Sequence, residues 1–139
     1  IRTGRIPEGS IELLAGAEFT LYTAPRPGDQ QGVSVSYQRL ASEVNVGDPI
    51  LLDDGAMELQ IQSLGEREIR CTVISGGTLL ENKGVNLPDT QLALGTVDPQ
   101  FREDVVREMN FAADNDIDYI AASFVQSAED VNAMREILR

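Results

Sequence analysis

The sequence predicts a small β-rich domain, an antiparallel barrel or sandwich, followed by a helix–strand–helix stretch of the kind that builds parallel α/β folds. Three observations carry this. Before Pro88 the apolar residues fall in short alternating runs separated by turn residues. After Pro88 they recur at helical spacing. Between them, Asp53-Asp54-Gly55 sits between two apolar runs, a strong hairpin signal.

In order, Ile11 to Leu14 and Glu18 to Thr23 alternate and are joined through Ala15-Gly16-Ala17. Ala24 to Gly32, with two Pro and two Gly, reads as an exposed loop. Gly32 to Tyr37 alternates again. Ile50-Leu51-Leu52 enters the Asp-Gly turn and Met57 to Gln62 leaves it. Ser63 to Arg67 is a second turn, and Ile69 to Ile74 is the return strand. Beyond Pro88, Val97 to Ala113 places Phe101, Val105, Val106, Met109 and Ala112 on one helical face, with Asp98 and Pro99 as cap and first turn. Ile117 to Phe124 is a continuous apolar run of strand length, suited to burial on both faces. Ser127 to Leu138 is helical, with Ser127 and Asp130 as a capping box and Val131, Met134, Ile137 and Leu138 as its apolar stripe. A single parallel-type strand has edges that need neighbours, which predicts that the chain is part of something larger or self-associates through that edge. The absence of an initiator Met points the same way.

The chain has 139 residues, 42% of them hydrophobic, enough to build a core. Its net charge of −12 repels phosphate backbones, which argues against nucleic acid as a partner. No apolar run reaches the length of a membrane span, and nothing signals secretion, so a cytoplasmic location is expected. With no His in the chain, Ser-His-Asp and Cys-His catalysis are excluded within it. Cys71, between Ile69 and Val73, reads as a small apolar strand residue.

Four places could carry chemistry. Lys83-Gly84 offers one cation with close backbone access, suited to a phosphate, although on chemistry alone an exposed Lys in a turn is the favoured reading. Asp53 and Asp54 could ligate Mg²⁺, or face a metal-bound phosphate through water, in addition to forming the turn. Arg2, beside Thr3-Gly4, could bind phosphate bidentately, although alone it reads as a solvated terminal Arg. Ser123 ends the apolar run, where a hydroxyl could orient a ligand. Ser75-Gly76-Gly77-Thr78 reads as a tight turn or bulge.

Taken together these pieces resemble the pyruvate kinase family. Ile1-Arg2-Thr3-Gly4 resembles the end of the motif before the family's lid, or B, domain. Leu52-Asp53-Asp54-Gly55 resembles a hairpin of that lid. Ser75-Gly76-Gly77 followed by Lys83-Gly84-Val85-Asn86-Leu87-Pro88 resembles its exit. Asp118 to Val125 resembles the fourth strand of the TIM (β/α)8 barrel, and Ala128-Glu129-Asp130-Val131 the helix after it. The resemblance implies a hinge at residues 1–4, a β-barrel lid at 5–87 and a partial barrel segment at 88–139.

It further implies phosphoryl transfer from phosphoenolpyruvate to ADP, giving pyruvate and ATP, with Mg²⁺ and K⁺ held mainly by residues outside this chain. Arg2, Lys83 and Asp54 are then expected at the nucleotide phosphates. Ser123 and Phe124 are expected near phosphoenolpyruvate, with Ser123 in an orienting role and no catalytic residue or metal ligand in this chain. The family's usual assembly implies a homotetramer. The sequence departs from the family at Asp89, where Gly is usual, at Gln126, where a cation is usual, and over Leu94 to Pro99. These departures leave open a non-catalytic binding module built on the same lid. The chain by itself is expected to be inactive.

Overall fold

The computed structural model describes residues 1–90, 92, 99–122, 125 and 127–138, with the side chains of 99–101 left aside. It falls into two compact units, Ile1–Gln91 and Leu92–Arg139. The expected boundary stood at 87/88.

The first unit holds eight strands and a short helix. They are β1 (Ser10–Leu13), β2 (Glu18–Tyr22), β3 (Gly32–Ser34), α1 (Leu40–Glu43), β4 (Pro49–Leu52), β5 (Met57–Leu64), β6 (Glu68–Ser75), β7 (Gly77–Leu80) and β8 (Val85–Asn86). Six of the strands form one curled sheet in the order β3-β2-β6-β5-β4-β8, while β1 and β7 pair separately. Alternation along the strands supplies the core. Met57, Leu59 and Ile61 of β5 and Ile69, Cys71 and Val73 of β6 point inward, while Gln60, Gln62 and Arg70 point out. Phe19, Leu21, Ile50 and Leu52 complete the same interior.

The two edge strands of this sheet are tied together by the N-terminus. Arg2 bridges to Gly84 beside β8, and Thr3 bridges to Val35 beside β3. The curl therefore closes through residues 1–3, which leaves neither of those edges unpaired at that level.

The expected β4–β5 hairpin is present, with Leu52 opposite Met57, and so is β5–β6. Three features add to or correct the expectations. The first is that β1, whose partner the sequence left open, runs antiparallel to β7, with Leu13 opposite Gly77. The intervening Ala15-Gly16-Ala17 is a turn, but it redirects the chain into the other sheet. The second is that the sheet is mixed: β2 and β3 are parallel, with Thr20 opposite Gly32. The 24–31 loop carries the chain back before β3 starts, so the two strands run the same way. The reversal into β3 is made by a tight turn at 29–32, where the Asp29 N–H donates to the Gly32 carbonyl at 2.9 Å and the Gly32 N–H to the Asp29 carbonyl at 3.3 Å.

In the second unit α2 (Pro99–Asp114) and α3 (Ala128–Ile137) pack against each other. Met109 and Ala112 are buried on α2, and Val105 and Val106 are half-buried. On α3 the Ser127 hydroxyl accepts from the Asp130 N–H while the Asp130 carboxylate accepts from the Ser127 N–H, the expected capping box. Val131, Met134 and Ile137 are half-buried and Leu138 is exposed.

The third feature, a correction, lies here. The expected strand over 117–124 does not form across its described part, 117–122. Tyr119 is 92% exposed and Ile120 40%. A strand suited to burial on both faces forms only against hydrogen-bonding neighbours, and among the described residues of this unit there are none. Ser123, Phe124, Gln126 and Asp98 lie outside the described residues, so the expectations placed on them have no structural counterpart.

Candidate functional site

The best-defined polar constellation sits where residues 1–3, the β4–β5 turn and residues 82–84 meet. Backbone pairing assembles it. The Thr3 N–H donates to the Lys83 carbonyl at 2.8 Å, and the Val85 N–H donates to the Ile1 carbonyl at 3.0 Å. The Asp53 N–H donates to the Gly84 carbonyl at 3.0 Å, tying in the hairpin. The buried Thr3 hydroxyl accepts from the Lys83 N–H at 2.9 Å, although the two residues are 80 positions apart.

Two cations are held by this frame. The Lys83 ammonium lies 3.2 Å from an Asp53 carboxylate oxygen, with each side chain about one-third exposed. Such a half-solvated pair contributes on the order of 0–1 kcal/mol to stability, so its main effect is on where the ammonium sits. The exposed Arg2 guanidinium donates to the Asn82 carbonyl at 2.9 Å. The Arg2 N–H donates to the Ser36 hydroxyl at 3.0 Å, and the Ser36 N–H donates to the Arg2 carbonyl at 2.9 Å. Arg2 is thus held at its backbone by Ser36 and at its fork by the Asn82 carbonyl.

The local backbone explains why these side chains project as they do. Asp53, Asp54 and Gly55 have φ of 51, 55 and 85°, and Asn82 has φ of 58°. Asp and Asn tolerate this left-handed region better than most residues. Three consecutive left-handed residues break the strand alternation here, and of the two neighbouring acids Asp53 is half-buried and Asp54 exposed. At Gly84 an added Cβ would meet nothing within 4 Å, which leaves open space over the backbone beside Lys83.

Arg2 and Lys83 therefore belong to one hydrogen-bonded backbone frame. Asp54, expected beside them, is exposed on the turn, and Asp53 is the acid that reaches Lys83. The pair Asp53-Asp54 was legible as a candidate; which of the two faces Lys83 was not, because that depends on the turn's dihedral angles. Thr3 is the other residue that sequence reasoning missed, its hydroxyl serving the frame and not the surface. Among the described residues no three His, Cys, Asp or Glu side chains converge as metal ligands.

A cation-bearing strap that closes a curled sheet is a part that a phosphotransferase can use to meet anionic groups. Comparison with known proteins is more specific. The family model described as pyruvate kinase, barrel domain, matches residues 1–139, and the chain belongs to the pyruvate kinase family. It is 37% identical over 139 residues to a pyruvate kinase of Clostridium perfringens (strain 13 / Type A), covering 99% of this chain and 28% of that protein. It is 38% identical over 140 residues to a pyruvate kinase of Staphylococcus aureus (strain USA300), covering 99% of this chain and 23% of that one. A crystal structure of a pyruvate kinase from Cryptosporidium parvum superposes with a TM-score of 0.81 at 35% identity, covering 98% of this chain and 27% of the other. The chain spans about a quarter of the length of these relatives.

Proposed function

We propose that this chain supplies the nucleotide-facing lid, with an adjoining stretch of barrel, of an enzyme that transfers a phosphoryl group from phosphoenolpyruvate to ADP, giving pyruvate and ATP. The observation that carries the reading is the convergence of Lys83 and Arg2 on one closed strap, each anchored by backbone hydrogen bonds. Phosphoryl transfer asks for positioning and charge neutralisation more than for covalent chemistry, and a lysine point charge with an arginine fork beside it provides both toward a diphosphate. In this reading residues 1–4 and 83–88 are the two hinges of a lid, and closing that lid removes water from the transfer site.

Mg²⁺ and K⁺ belong to the proposed activity, as does assembly into a homotetramer in the cytoplasm. The described residues do not fit a metal site of their own: Asp53 is engaged by Lys83 and no third ligand stands near. On the family resemblance, the metals are held mainly by residues outside this chain. Ser123 and Phe124 remain proposed neighbours of phosphoenolpyruvate on the strength of the family resemblance.

The test is a coupled assay on the full-length protein. ATP formation from phosphoenolpyruvate and ADP is expected, and Lys83→Ala is expected to lower kcat/KM for ADP about tenfold or more, the scale of one charge-assisted contact. A full-length protein without this activity, or one indifferent to Lys83→Ala, would overturn the reading and favour a non-catalytic binding module.

A further inference from the structure

The Asp53–Lys83 pair has a role that the turn alone does not require. Asp53 is fixed three ways: by its left-handed backbone at φ 51°, by its N–H on the Gly84 carbonyl at 3.0 Å, and by its carbonyl, which accepts from the Ala56 N–H at 3.1 Å. Its backbone is thus fixed, and its short side chain sets the carboxylate 3.2 Å from the Lys83 ammonium. Lys83 in turn is fixed at its backbone by both hydrogen bonds to Thr3. Only the four-carbon stem of the lysine is left to be ordered, and such a stem carries substantial rotamer freedom. One carboxylate oxygen occupies one of the three ammonium donors, leaving two for a ligand. A half-exposed pair of this kind adds little to stability, yet it restricts the ammonium to the neighbourhood of the β4–β5 turn.

We infer that Asp53 is a positioning residue for Lys83, holding the ammonium pre-aimed at the phosphates of an incoming nucleoside diphosphate without touching that ligand itself. This rests on the proposed nucleotide role of Lys83. Pre-organisation of this type strengthens binding by removing an ordering cost, so its loss falls on ligand affinity and not on the chemical step. The pair also accounts for two adjacent acids in one turn: Asp54 is exposed on the turn, and Asp53 faces the cation.

The test is a double-mutant cycle in the full-length enzyme, using Asp53→Asn, Lys83→Met and both together. Asn tolerates the left-handed backbone, so the turn survives while the charge is lost. Asp53→Asn is expected to raise KM for ADP threefold or more with kcat changed less than twofold. That effect is expected to vanish in the Lys83→Met background, and thermal unfolding is expected to shift little. The inference is overturned if Asp53→Asn leaves KM unchanged or lowers it, if kcat falls in step, or if the rise is the same in both backgrounds. Lys83→Met with unaltered nucleotide use would overturn the proposed function itself, whereas a damaging Lys83→Met beside a silent Asp53→Asn would overturn this inference alone.

Discussion

At Gly32 an added Cβ would run into the carbonyl oxygen of Thr20 and the ring of Tyr22. The contact follows from the parallel pairing of β2 and β3, which sets Thr20 directly opposite Gly32. Because one obstacle is backbone, it cannot swing aside. Gly32→Ala is therefore expected to cost about 2 kcal/mol or more, in the range of overpacking a well-filled interior, read as a lower denaturant midpoint. Cys71 makes a different residue-scale statement. Burial pushes its thiol from an ordinary 9.0 up to about 12, since the thiolate is disfavoured away from water. The thiol is thus unreactive at neutral pH, and an alkylating reagent should modify it only as fast as the domain opens. A folded-state value above the unfolded one means the contribution is fully present below pH 9.0 and is lost as pH rises toward about 12. Stability should fall over that window, and Cys71→Val should flatten the part of the slope owed to this group.

The β4–β5 hairpin shows how an element is written into sequence and how far that writing goes. Gly55 has φ of 85°, whereas Gly84 has no positive φ and open space around it. Gly55→Ala is expected to cost about 1 kcal/mol, since a side chain in the left-handed region is strained. Gly84→Ala should stay within about 0.5 kcal/mol, as surface changes without special geometry do. Chemical denaturation of both variants makes the comparison. The hairpin was legible because its signal is local: Asp-Gly between two apolar runs needs no distant information. The partner of β1 was not, since Ile11 alternates equally well beside β2 or beside β7, and only the closed fold selects Leu79 as its neighbour. The run at 117–122 failed in the opposite sense. Its composition suits a strand, but pairing belongs to whatever lies beside it, and no described neighbour lies there. The site divides in the same way. Arg2 and Lys83 by themselves read as solvated cations, and the family motif was needed to join them; the Thr3 clamp and the choice of Asp53 over Asp54 depend on backbone geometry that spacing does not encode.

For the whole molecule, the two units differ in what they can sustain. Ile1–Gln91 encloses Phe19, Leu21, Ile50, Leu52, Leu59, Ile61 and Ile69, all at 1% exposure or less. Its curled sheet is tied at both edges by residues 1–3, and Thr90 still belongs to it through its hydroxyl, 3.1 Å from the Asp48 carboxylate. In Leu92–Arg139 the buried apolar side chains among the described residues are Met109 and Ala112, while Phe111, Ile117, Tyr119 and Ile120 are exposed. A closed core resists unfolding as a unit, but two short helices sharing little buried surface do not offset the entropy of ordering them. Residues 1–91 made alone are therefore expected to melt in one cooperative transition with dispersed amide resonances. Residues 92–139 made alone are expected to show weak helical circular dichroism that fades gradually on heating. Exposed Tyr119 and Ile120 should also make that second piece associate at higher concentration, visible by light scattering, since contiguous apolar surface seeks cover. A cooperative melt from residues 92–139, or its absence from residues 1–91, would mean that the stability of the chain is distributed otherwise than its buried side chains indicate.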